Sequence, residues 1–212
     1  MRFLIEEKAI KIISIFICLI FVVNCEVKRD SIGGSDDLVV LAAKEDREQI
    51  ESLLSIVFND TLLTPEPESF YKVKFSDPVN YQALKTQTNL IIASIGDFEL
   101  NPATKLVKNL LGTKKFNETL EGDPVILSQD QFAKNQLFMI VSGSDSDSIE
   151  EYFLENGEWI KSQFNANFDK KQSQYLLEAQ HQEGKESMLS LIHISEPTRP
   201  RLISYAVFCV KK

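Results

Sequence analysis

Leu90-Ile91-Ile92-Ala93-Ser94-Ile95 is a run of six residues ended by Gly96, with a single serine as its polar member. A strand with one wet face alternates apolar and polar positions. A continuous apolar run of this length reads instead as a strand covered on both faces. Two further runs have the same character, Leu38-Val39-Val40-Leu41-Ala42-Ala43 and Leu137-Phe138-Met139-Ile140-Val141. Three buried strands spread over a hundred residues require helices between them, and the intervening sequence supplies the pattern. Ile50, Leu53, Leu54, Val57 and Phe58 fall on one stripe of a helix over Glu45–Phe58, with Glu45, Asp46 and Glu48 at its positive end. Asn101-Pro102 is a cap followed by proline at the first helical position. Leu106, Val107, Leu110 and Leu111 form the apolar face of that helix, and Gly112 sits where a terminating glycine belongs. A long helix from near Asp147 carries Ile149, Phe153, Ile160, Phe164 and Phe168, with a kink expected at Asn156-Gly157.

The connections read as follows. Thr64-Pro65-Glu66-Pro67-Glu68 is a stiff extended loop. Phe70–Phe75 alternates, with Tyr71, Val73 and Phe75 opposite Lys72 and Lys74, as a half-solvated strand does. Asp77-Pro78 starts a short helix bearing Tyr81 and Leu84. Thr113–Gly122 is polar and reads as loop, and Pro124–Leu127 as a short edge strand. The resulting order is β-α-β-(short α)-β-α-(β)-β-α. It predicts an α+β domain, a ferredoxin-like layer of mixed sheet with helices on one face. The alternative is a three-layer α/β domain with a purely parallel, doubly wound sheet.

The ends belong to a different class of sequence. Ile12–Val23 is apolar apart from Ser14 and follows a leader containing Arg2, Glu6, Glu7, Lys8 and Lys11. As a helix it would span about 18 Å, well short of the ~30 Å bilayer core. A charged leader and an apolar run of this length are the anatomy of a secretory signal, here residues 1–24. The run ends at Val22-Val23-Asn24-Cys25, which resembles a lipobox, although Asn24 stands where a small residue is usual. Cys25 is therefore the expected lipidation site, and residues 25–37, Gly- and Ser-bearing, the expected tether. At the other end, Leu189-Ser190-Leu191-Ile192-His193-Ile194-Ser195-Glu196-Pro197-Thr198-Arg199 resembles a translated sequencing-library adapter, so 189–212 is set aside. That leaves 38–188 as the domain.

Between the ends, residues 26–187 hold 16 Lys and Arg against 28 Asp and Glu. So acidic a body argues against nucleic acid or an anionic membrane surface as the natural partner. Of the three cysteines, Cys18 lies in the signal, Cys25 at its end and Cys209 in the tail. No disulfide, thiolate nucleophile or thiolate metal site is then available to the domain. His181 is its one histidine before the tail, which leaves little for His-dependent catalysis or zinc. Ser144-Asp145-Ser146-Asp147-Ser148, with Glu150 and Glu151, is the densest acidic cluster. It lacks the further ligands and glycine turn of a calcium loop and reads as a helix cap. Trp159 reads as a partly buried packing residue. No catalytic residue, metal ligand or cofactor emerges from these patterns.

Phe132-Ala133-Lys134-Asn135-Gln136 before an apolar strand, then Ile149-Glu150-Glu151-Tyr152 through Asn156-Gly157-Glu158-Trp159-Ile160 and Phe164, carries a family likeness. Together with Pro65-Glu66-Pro67-Glu68 and Asn89-Leu90-Ile91-Ile92, it resembles a family of secreted bacterial lipoproteins of the Bacteroidetes type, catalogued as a domain of unknown function. The resemblance covers roughly Asp37 to Phe168. It implies a longer protein than the domain seen here, with one sheet face left for the missing half to cover. It brings no catalytic residues. The expectation is a cell-envelope lipoprotein, membrane-anchored through Cys25, whose domain binds another envelope component or a ligand without catalysis. The alternative is an envelope hydrolase using carboxylates or Ser/Thr, which requires a pocket where two perturbed acids converge.

Overall fold

The computed structural model describes residues 28–62 and 66–183, with side chains through 177. The expected signal 1–24, Cys25 and the segment 189–212 lie outside the described residues. The elements run β1 (Asp37–Leu41), α1 (Arg47–Val57), β2 (Thr61–Leu62), β3 (Glu68–Ser69), β4 (Lys72–Ser76), α2 (Tyr81–Leu84), β5 (Asn89–Ile95), α3 (Pro102–Glu121), β6 (Val125–Gln129), β7 (Leu137–Gly143) and α4 (Ser146–Glu183). Single 3-10 turns lead into α1 and α2. β2 and β3 form a small antiparallel pair of their own.

The main sheet is mixed, in the order β4-β1-β5-β7-β6. Its first four strands are parallel, and β6 joins β7 antiparallel at the far edge. Every residue of β5 and β7 is buried, as their continuous apolar runs require. Side chains alternate across the sheet. Leu38, Val40, Ile91, Ala93, Met139 and Val141 meet Leu53, Leu54 and Val57 of α1 and Ile149, Phe153 and Phe164 of α4. Val39, Leu41, Leu90, Ile92, Phe138 and Ile140 meet Tyr81 of α2 and Val107 and Phe116 of α3.

The mixed sheet packed with helices agrees with the sequence reading, but the helices cover both faces, as in the three-layer alternative. A strand with no polar side cannot leave one face wet. Nor does the described domain show the bare face expected of an incomplete sheet: its own helices supply both layers. The second layer was hidden by Thr113–Gly122, which is helix and not loop. Gly112 does break α3 (φ 76°, ψ 158°), but the chain re-enters helix at once. Phe116, fully buried, then anchors that polar half of α3. The kink expected at Asn156-Gly157 is absent; the helix runs through both residues. Gly157 is buried, and a Cβ there would lie 3.5 Å from Val57 Cγ2.

Rings knit the first layer to the edge of the sheet. Phe58 stands edge-on to Tyr71 and to Phe164, with centroids 5.3 and 4.9 Å apart. The outer edge, β4, exposes Lys72 and Lys74, which pair with Asp36 and Asp37 at 2.8 and 2.7 Å. Charges of this kind keep a sheet edge from recruiting further strands.

Candidate functional site

Two ends of the sheet can be compared, and they are built differently. At the amino-terminal ends of the parallel strands lies a dense polar network. Residues 28–36, read from sequence as part of a loose tether, are docked there. Ser31 N donates to Lys134 O at 2.9 Å and Lys134 N to Arg29 O at 2.8 Å. Ile32 N donates to Thr86 O at 3.0 Å, and Thr88 N to Ile32 O at 2.9 Å. The segment thus lies across the entries to β5 and β7 in strand-like bridges.

Helix α4 holds it down. The Lys171 ammonium donates to Ser31 O (3.2 Å), Ser31 Oγ (3.3 Å), Gly33 O (3.1 Å) and Thr88 Oγ1. Burial lowers the Lys171 pKa from the ordinary lysine range, with Asp30 acting in the opposite sense. An ammonium has three protons to give, and four protein oxygens surround this one. Lys171 is a clamp with no donor to spare. Alongside it, Asn89 Nδ2 donates to Ser35 O (2.9 Å) and Asp37 O (3.1 Å), and Asn89 Oδ1 accepts from Asn167 Nδ2 at 3.2 Å. Gln172 Nε2 reaches Ser35 Oγ at 2.9 Å, and Asn135 Nδ2 reaches Gln174 Oε1 at 2.6 Å.

Gln136, the last residue of the Phe-Ala-x-x-Gln stretch, is wholly buried. Its Oε1 accepts from Phe132 N (2.9 Å) and Ala133 N (3.3 Å), and its Nε2 donates to Lys85 O (2.7 Å) and Gln87 O (2.8 Å). The β6–β7 connection bends through left-handed Asp130 and Asn135 (φ 53° and 58°) to allow this. A side chain that satisfies four backbone groups is a fastener between two turns.

The carboxyl-terminal ends are where doubly wound sheets usually place ligands, at the point where strand order reverses. Here that point lies between β1 and β5. The loops that follow the two strands are tied directly together, Asn101 Nδ2 donating to Asp46 Oδ2 at 2.7 Å. Asn101 Oδ1 meanwhile caps α3 by accepting from Ala103 N and Thr104 N. Asp97 pairs with Lys108 at 2.5 Å. Beyond them Val79, Phe98 and Leu100 stand exposed.

The acidic cluster also lies at this end. Asp145 Oδ1 accepts from Ser148 N at 2.8 Å, the cap expected of it. That backbone hydrogen bond, with one from the Ser144 hydroxyl, holds the Asp145 carboxyl below the usual range. At the opposite end, the Lys72 hydrogen bond lowers Asp36 likewise. Both acids therefore stay ionised at neutral pH, and neither can deliver a proton as a general acid. Among the described residues, no group of three or more His, Cys, Asp and Glu could hold a metal ion. Trp159 is half exposed on α4.

An open groove of about 490 Å³ runs beside α1 and β4, lined by Glu51, Leu54, Phe58, Glu68, Tyr71 and Lys72 among others. The Tyr71 hydroxyl in its wall donates to Asn165 Oδ1 at 2.8 Å. Burial, then Asp169 and Asp60, pushes the Tyr71 pKa well above the ordinary tyrosine value.

The fold is thus a three-layer α/β domain with a doubly wound, mostly parallel sheet and an antiparallel edge strand. Comparison with family models, curated proteins and solved structures returns no match. The family likeness read from Phe132–Gln136 remains a resemblance. None of the residues in the polar network was singled out from sequence as a group. Ser31, Thr88, Asn89, Asn167 and Lys171 are brought together only by the sheet and α4, and no spacing announces them.

Proposed function

We propose that the chain is a cell-envelope lipoprotein, anchored to a membrane through a lipidated Cys25, whose α/β domain is a non-catalytic binding module for another envelope component. The observation that carries this reading is the charged leader, the apolar run Ile12–Val23 and the cysteine at which it ends. Among the described residues no helix is long and apolar enough to cross a membrane; in this reading the anchor is acyl chains on Cys25, the run Ile12–Val23 being short of a bilayer span. The non-catalytic part rests on chemistry already committed elsewhere. The Lys171 donors are consumed by Ser31, Gly33 and Thr88. Asp46 and Asn101 are bonded to each other between the two loops where strand order reverses. Val79, Phe98 and Leu100 present apolar surface at that same end, suited to a protein partner.

Metabolic labelling with a fatty-acid analogue tests the anchor. Wild type should incorporate label and Cys25→Ala should not. Equal incorporation by the two sinks the proposal.

A further inference from the structure

From the docking of residues 28–36 we infer which end of the domain faces the membrane: the amino-terminal end of the sheet, with the protruding end of α4 touching the lipid headgroup region. The inference rests on the anchored reading above and adds to it an orientation and a contact surface. The first observation is the shortness of the leash. Lys28 Nζ is held by Asp130 O (2.5 Å) and Gln131 O (3.0 Å), and Arg29 O accepts from Lys134 N. Only Glu26 and Val27 separate that docked residue from Cys25. Three Cα steps of 3.8 Å reach about 11 Å. A lipid on Cys25 therefore holds the amino-terminal end of the sheet against the bilayer and leaves little room for the domain to turn over.

The second observation is independent of the first. α4 is 38 residues long, about 57 Å, while the seven-residue β5 spans only about 23 Å. α4 starts at the carboxyl end of β7, meets the first residue of β5 where Asn167 bonds Asn89, and reaches the turn before β7 at Gln174, where Asn135 bonds it. The remaining nine residues to Glu183 project about 13 Å past that turn. The overhang and the point where the described chain begins, at Lys28, thus lie at the same end of the domain. The first residues past that turn are Tyr175, Leu176 and Leu177, exposed to 69, 60 and 61 %. Tyrosine beside leucine suits the headgroup boundary, where one part of a ring is apolar and its hydroxyl wet.

Reconstitution tests this with the full-length lipidated protein in phosphatidylcholine vesicles bearing a headgroup-linked energy acceptor. A donor dye is placed at Lys134→Cys, on the amino-terminal end, or at Leu100→Cys, on the other, each with Cys209→Ser. Donor emission should fall more from position 134 than from position 100. An environment-sensitive dye at Leu176→Cys should shift to the blue in vesicles while the same dye at Leu100→Cys does not. Equal loss from both positions, or greater loss from 100, overturns the orientation while leaving the anchor intact. A blue shift at 176 that grows with protein density in the vesicle means a second copy covers these residues, and the lipid contact is wrong. Protein that does not float with the vesicles overturns the anchored reading itself, and the orientation with it.

Discussion

The Gln136 amide lies 2.8 Å from the carbonyl of Gln87, and through that contact the turn before β7 is fastened to the turn before β5. The same side chain satisfies Lys85, Phe132 and Ala133, so its loss leaves four partly or fully buried backbone groups without that partner. Each buried group left without a partner costs about 1–3 kcal/mol. Gln136→Leu keeps most of the volume and should destabilise the domain by about 3 kcal/mol or more in a urea melt. A loss under about 0.5 kcal/mol would show that the network is dispensable.

Two helix glycines should respond oppositely to alanine. Gly157 has helical neighbours on both sides, and a Cβ there meets nothing nearer than Val57 Cγ2 at 3.5 Å. Gly157→Ala should stabilise by about 0.5–1 kcal/mol from helix propensity. Gly112 has open space around it but sits at φ 76° and ψ 158°, a region almost closed to other residues. Gly112→Ala should cost about 1–3 kcal/mol. Thermal melts of the pair, shifting in opposite directions, are the expected result.

Burial raises the pKa of Tyr71, Tyr81 and Tyr152 above the ordinary 10.0. A raised folded-state value means the folded state binds the proton more tightly. Its contribution is fully present below the unfolded pKa and is lost as pH climbs through the folded one. Lys171, lowered from 10.5, acts in the opposite sense and gains stability over its own window. With three phenols against one amine, stability should fall above about pH 10. Tyr71→Phe should cost about 1 kcal/mol at neutral pH, through loss of the bond to Asn165, and make the alkaline fall shallower. An unchanged alkaline slope would remove Tyr71 from the account.

Replacing the clamp should loosen one segment and leave the core. In Lys171→Met the oxygens of Ser31, Gly33 and Thr88 lose their shared donor. Amide exchange at Ser31 and Ile32 should accelerate markedly, while the amides of β5 and β7 keep their protection. Acceleration across all three would mean that Lys171 supports the whole fold.

How far the sequence reveals this structure differs from element to element. Leu90–Ile95 and Leu137–Val141 announce buried strands because period and composition agree over their whole length. Asn101-Pro102 and Asp77-Pro78 announce helix starts, because a cap acts on its nearest neighbours, and both side chains do accept the expected backbone protons. The second half of α3 was illegible, since one buried phenylalanine, Phe116, carries most of its anchoring among lysines, asparagine and glutamate. Residues 28–36 look like a linker because Ser, Gly and Asp dominate them. Their docking is made mostly by backbone groups and by partners a hundred residues away, and no local pattern encodes that. Lys171 was unreadable for the same reason.

The antiparallel pairing of β6 with β7 has a consequence for how the chain assembles. Their register closes directly from Gln129 to Leu137 across one short connection, whereas each parallel pair joins segments with at least one helix between them. Parallel neighbours cannot meet until those intervening stretches have been drawn in, which makes their contacts non-local and slow to form. β6–β7 is the hairpin that can close early, whereas the β1–β4, β1–β5 and β5–β7 pairs each wait on the stretch between their strands. Leu90–Ile95 lies between β1 and β7, so until it docks no strand joins the β4–β1 pair to the β7–β6 pair. The interval during synthesis between β1 and β7 is when this chain is most exposed to self-association.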